Sequence, residues 1–151
     1  MAAYTDTLGF NKGTAAYPDG AGVSKFTVEL DFAKIVAARS AAGATALVAT
    51  DTLQVISLPA GSIVLSAGLV VTKVESTNTT ATFDLGYTGG TPYAANAYAN
   101  DAPSNALGLT ASDLANPSVV VSADTIDLLL NTAVPTDCVV KAFALVLNVN
   151  A

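Results

Sequence analysis

The sequence predicts an all-β protein: an antiparallel β-sandwich, jelly-roll-like, with about eight strands and at most one short helix. Three observations carry this expectation. Apolar residues recur with period two in run after run. Clusters of Gly, Pro, Asn and Asp punctuate those runs. Helical spacing fits only one short stretch. Eight short strands in about 125 residues favour two packed sheets over an up-and-down barrel. With 151 residues the chain is one domain by length and buries roughly 70 % of its unfolded surface without a disulfide.

Residues 1–24 are rich in Ala, Gly, Thr and Tyr and hold neither period for long, so they form an extended N-terminal arm or a surface-hugging loop before a sandwich domain of residues 25–151. Turn signals stand at Asn11-Lys12-Gly13 and Pro18-Asp19-Gly20. Tyr4, Phe10 and Tyr17 anchor the arm either to its own domain or to a neighbour. Residues 26–32 give the cleanest strand: Phe26, Val28, Leu30 and Phe32 on one face, Thr27, Glu29 and Asp31 on the other. Residues 33–42 follow as a short Ala-rich helix ending before Gly43, or as an irregular crossover.

Strands over residues 52–58 and 63–74 are joined by Pro59-Ala60-Gly61, the second bent or bulged at Ala67-Gly68. After a polar turn around Asn78, residues 80–87 alternate again, with Ala81, Phe83, Leu85 and Tyr87 on one side. Residues 91–116 are poor in bulky apolar side chains and carry Pro92, Tyr93, Tyr98 and Pro103, the signature of a long functional loop. Strands return over residues 118–123, 125–131 and 138–150. In the last, Val139, Phe143, Leu145, Leu147 and Val149 share one face, interrupted only by Lys141.

The chemistry is as informative as the pattern. Histidine is absent, which removes the usual acid, base and metal ligand near neutral pH. Serine has no partner for nucleophilic hydrolysis, and no Gly-x-Ser-x-Gly elbow occurs. Zinc has no ligand set, because Cys138 is the single cysteine and sits in an apolar run as a buried core residue. Oxygen-rich sets at Asn96, Asn100 and Asp101, and at Asp124 and Asp127, match no calcium motif and are simpler as turn residues. Glu29 and Asp31 share a strand face that belongs to ordinary solvated exterior. Gly20-Ala21-Gly22 lacks the ending of a phosphate loop, and Asn78-Thr79-Thr80 is simpler as a polar turn than as a glycosylation site.

Twelve acidic residues against six basic ones give a formal net charge of −6, and the cations are scattered. No basic stripe can neutralise a run of phosphates, so nucleic acid is not an expected ligand. Residues 52–72 are uncharged but broken by Pro59, Gly61 and Gly68, which suits two strands rather than a spanning helix. The first residues carry no basic and continuously apolar leader, so no export signal is expected. The expectation is therefore a non-enzymatic protein with no metal, cofactor, membrane or small-molecule substrate. Tyr4, Phe10, Tyr17, Tyr87, Tyr93 and Tyr98 are the candidate protein-contact residues, tyrosine being amphipathic and cheap to order at interfaces.

The run from Asp51 through Leu53-Gln54-Val55-Ile56-Ser57-Leu58-Pro59 to Val71, followed by Ala81-Thr82-Phe83-Asp84-Leu85-Gly86-Tyr87, resembles small structural proteins of tailed bacteriophages, cyanophages among them. It is similar to head decoration or cement proteins. The resemblance implies a β-sandwich body, an N-terminal segment lying along the capsid, and a homotrimer on the exterior of the virion with the major capsid protein as partner. It implies no catalytic residues. The alternative is a phage tail, fibre or receptor-binding component that meets host glycans or surface proteins through residues 86–116.

Overall fold

The computed structural model describes residues 2–14, 22–87, 96–112 and 119–149. Among them run β1 (Ala3–Tyr4), β2 (Gly13–Thr14), β3 (Val23–Asp31), α1 (Phe32–Ala41), β4 (Thr52–Leu58), β5 (Ser62–Lys73), β6 (Thr82–Gly86), β7 (Ala99–Pro103), β8 (Gly108–Ser112), β9 (Asp124–Asn131) and β10 (Val139–Asn148). β1 and β2 are two-residue pieces; the other eight strands have five residues or more.

Those eight pair as one long hairpin doubled back at the β6–β7 connection. β3 joins β10, β4 joins β9, β5 joins β8 and β6 joins β7, all antiparallel. Rolling up that hairpin sets β10 beside β5 and β9 beside β6. Two sheets result, β3-β10-β5-β8 and β4-β9-β6-β7, with β1 and β2 added in parallel along β4. This is the all-β sandwich that the alternation predicts, wound in a jelly-roll-like way.

The inner faces interdigitate into one apolar core. Leu30, Leu69 and Val140 of one sheet and Leu53, Phe83 and Leu128 of the other are buried in it. Each such side chain contributes roughly 1.5–3 kcal/mol against exposure. β10 turns its small residues inward. Ala142 and Ala144 sit opposite Val28 and Phe26, so small residues leave room for large neighbours on the same face. The bulkier Phe143, Leu145 and Leu147 consequently lie on the outer face, half-buried.

α1 has the expected extent and the expected stop. Asp31 caps it, its carboxylate accepting from the Lys34 N–H at 3.3 Å, and Gly43 follows the end at φ +63°. Its buried side, Phe32, Ile35 and Arg39, faces the sandwich, and Phe32 stacks on Phe83 with ring centroids 5.6 Å apart.

Three sequence expectations are corrected. Residues 91–116 are not one long loop, since β7 and β8 lie in its described part. Both are edge strands, whose solvent side needs no bulky apolar residues, and so the alternation is faint. Residues 119–123 form no strand. Val120 alone reaches the body, its N–H donating to Ser62 O and its carbonyl accepting from the Gly61 N–H, both at 2.7 Å. The irregularities of β5 against β10 fall at Leu65 and Thr72, whereas pairing runs unbroken through Ala67 and Gly68. Gly68 answers a different need: a Cβ there would lie 2.4 Å from Ala111 Cβ and 2.6 Å from Thr110 O, so it permits close approach of β8.

Candidate functional site

The N-terminal strand pieces lie on the protein's own body. Thr52 N donates to Ala2 O at 2.8 Å, and Asp51 accepts from the Ala2 and Val48 N–H groups at 3.0 and 2.9 Å. At the centre is Arg39, the chain's only arginine, placed on the apolar side of α1 one turn beyond Ile35. Its guanidinium donates to both Asp6 oxygens at 2.8 and 3.0 Å and twice to Thr45 O. It also lies 4.1 Å from the centroid of the Tyr4 ring. Burial, then a hydrogen bond to Asp51, pushes the Tyr4 phenol above its ordinary pKa. Gly9 passes so close to α1, at φ +86°, that a Cβ would lie 2.6 Å from Ile35 Cα, and Phe10 beyond it is buried in the core. Tyr4 and Phe10 thus serve intramolecular anchoring. Tyr17 lies outside the described residues.

Tyr87 and Tyr98 meet inside the fold. Their hydroxyls are 3.0 Å apart, their ring centroids 5.8 Å apart, and both residues are buried. Tyr98 N donates to Leu85 O, which ties the segment before β7 to the end of β6. These two rings hold the central connection and offer no face to a partner or a sugar. Tyr93 lies outside the described residues.

Glu75 is the residue that sequence reasoning missed. It lies two residues past the end of β5 beside the 76–78 turn, is almost wholly buried, and accepts six hydrogen bonds. One oxygen accepts from Thr77 N, Asn78 N and Thr136 Oγ1; the other accepts from Thr136 N, Asp137 N and Cys138 N, at 2.7–3.2 Å. Burial alone would raise its pKa. The hydrogen bonds outweigh it and hold the carboxyl well below the ordinary carboxylate range. Asp137 returns the contact by accepting from Ser76 N and Oγ at 2.9 and 2.7 Å. Two turns far apart in sequence are thereby locked together. One signal was available: Glu75 is one of only two glutamates and precedes Ser76-Thr77-Asn78, a cluster of turn-forming donors.

The remaining candidates have ordinary structural work. Cys138 is fully buried, and burial together with the nearby Glu75 and Asp137 charges pushes its thiol up to about 12. Asp101 accepts weakly from Thr82 Oγ1, while its own N–H donates to Asp84 at 2.8 Å. Asn96 donates to Asn100, and Asp127 accepts from Thr125 Oγ1 at 2.6 Å. Among the described residues no cluster of metal-ligating side chains forms. Asn78 donates its amide to Val134 O at 2.6 Å and serves its turn. A cavity of about 580 Å³ lies beside α1, lined by Val36, Arg39, Gly43, Leu47, Val134 and Thr136. Among the described residues no helix is long and apolar enough to cross a membrane.

No family model matches the sequence, and no curated protein matches it. Solved structures do. A chain from the capsid of Ralstonia phage GP4 aligns over 99 % of this chain and 98 % of its own, with TM-score 0.62 and 14 % identity. A chain from the cyanophage Pam1 capsid asymmetric unit aligns over 89 % and 91 %, with TM-score 0.59 and 21 % identity. A chain from the acidic stable capsid structure of Helicobacter pylori bacteriophage KHP30 aligns over 83 % and 86 %, with TM-score 0.54 and 13 % identity. At such identities the likeness is one of fold: this chain has a fold that phage capsids also contain.

Proposed function

We propose that the protein is a non-enzymatic structural component of a phage virion that binds the capsid exterior as a cement or decoration protein, assembled as a homotrimer on the major capsid protein. The observation that carries this reading is the nearly end-to-end alignment of its sandwich with a chain of the Ralstonia phage GP4 capsid. Charge supports an exterior position. The net charge is −6, and five of the six cations lie against a partner: Lys12 on Gln54, Lys34 on Asp31, Arg39 on Asp6, Lys73 on Asp137 and Lys141 on Glu29. Such a surface has little to offer a nucleic-acid backbone.

The physical logic is linkage. A protein that binds the assembled shell and not its dispersed subunits stabilises the shell, and a trimer gains from several simultaneous contacts. In this reading residues 1–24 act as a strap and residues 25–151 as the body, with β1 and β2 of the strap pairing in parallel with β4. The glycan-binding alternative loses support, because Tyr87 and Tyr98 are interior.

Cryo-electron microscopy of the parent particle tests the reading. Density for this sandwich in groups of three on the outer surface is the expected result. Density in the tail, or on the inner wall against the genome, overturns it.

A further inference from the structure

The two sheets have four outer edges, and three of them are protected. The β4 side is covered by β1 and β2. β7 carries Pro103, a bulge where it meets β6, and Asp101 at φ +50°. β3 bears Lys25, Glu29 and Asp31. Charge, proline, bulges and covering segments are the usual devices that keep a strand edge from pairing with another chain.

Among the described residues β8 has none of these. It pairs with β5 in unbroken register from Ala67–Ser112 to Val71–Gly108, and among the described residues no strand lies on its other side. No charged residue and no proline occurs from 104 to 112. Leu107 and Leu109 stand 69 % and 65 % exposed, the most exposed leucines described. Gly68 is kept free of a side chain so that β8 sits close against the sheet.

We propose that the free edge of β8 is a self-association surface, where two copies of this chain join β8 to β8 antiparallel about a twofold axis through Thr110. An antiparallel edge presents the same donors and acceptors to its own copy, as a twofold contact requires. The side chains agree with that axis. Thr110 meets Thr110 of the second copy, a favourable cross-strand pair. Leu109 meets Ala111 of the second copy, large against small, and the reciprocal pair repeats it. Over residues 108–112 of each copy nothing charged is buried, although each copy carries −6 elsewhere. Leu109 continues the outer-face row that begins at Val70, so the contact extends one apolar strip across both molecules. The inference does not depend on where the protein sits in a particle; if trimers form, the contact links one trimer to the next.

The test uses the purified full chain with Thr110→Cys. Cys138 is buried with its thiol pushed up to about 12, so it does not compete. Under mild oxidation the Thr110→Cys chain is expected to give a disulfide-linked pair of twice the chain mass. It should link about a hundredfold faster than a Val23→Cys control on the β3 edge, because a docked edge holds the thiols at effective concentrations on the order of millimolar. Adding Leu109→Lys should abolish the advantage while leaving the far-ultraviolet spectrum unchanged. Equal linking rates for Thr110→Cys and Val23→Cys overturn the proposal, as does identical sedimentation of the wild-type and Leu109→Lys chains. Linking of Thr110→Cys to a different protein in intact particles, with no self-linked pair, also overturns it.

Discussion

Glu75 and Arg39 are both charged, both nearly sealed from water, and both joined to segments distant in sequence, yet their partners differ in kind. Glu75 is held by neutral donors, mostly backbone N–H groups of the 76–78 and 136–138 turns. Arg39 is held by an opposite charge on Asp6, whose side chain is 41 % exposed, and by a carbonyl and a ring. Losing Glu75 leaves five N–H groups without this acceptor, that of Cys138 fully buried. Losing Arg39 leaves Asp6 free to rehydrate. The first charge belongs to the body of the sandwich, and the second fastens a strap onto it. A buried charge is therefore as important as the groups it would orphan.

The strongest way to break this comparison is Glu75→Gln, which turns an amide NH₂ toward donors. A loss of at least about 3 kcal/mol is expected in urea unfolding. A smaller cost than that of Arg39→Ala would invert the ranking. The same variant sharpens the account through pH. The folded Glu75 pKa lies below its ordinary 4.5, so on acidification the unfolded chain takes up the proton first. The stabilisation is complete above 4.5 and is lost as pH falls toward the folded value. The gap between wild type and Glu75→Gln should thus narrow in acid; a gap independent of pH would mean that ionisation is irrelevant.

Gly68→Val forces a side chain into the β8 backbone and should cost about 2 kcal/mol by thermal unfolding, a body defect without a charge. Arg39→Ala should lower global stability by about 1–2 kcal/mol, since the partly exposed Asp6 rehydrates and Thr45 O loses its donors. Its larger effect is local: the Thr52 N–H, bonded to Ala2 O, should lose hydrogen-exchange protection well before β9 does. Simultaneous loss at both places would make the strap part of the body. Smallest is Lys141→Ala, which removes an exposed pair with Glu29 at 3.4 Å and should change stability by less than about 0.5 kcal/mol.

The sequence carried the local grammar well. Period-two runs located β3, β4, β5, β6, β9 and β10, because each has one face in the core and one outside. Gly43 marked the helix stop, and the resemblance over residues 51–90 pointed to the fold class that phage capsid chains share over most of the chain. β7 and β8 were invisible, since these five-residue edge strands bury too little to impose a pattern. The inward face of β10 was equally hidden: its alanines matter because of Phe26 and Val28 on another strand, which periodicity within β10 cannot register. Glu75 and Arg39 escaped for the same reason, as their partners lie as far away as residues 138 and 6. The contact tyrosines 87 and 98 were placed by residue type, and burial reassigned them.

The doubled hairpin has a consequence for synthesis. β3 leaves the ribosome about a hundred residues before its neighbour β10. The β3-β10-β5-β8 sheet cannot close until β10 is available, so folding here has high contact order and a slow expected rate. A chain shortened before residue 139 loses the strand that separates β3 from β5 and leaves both as open templates for aggregation.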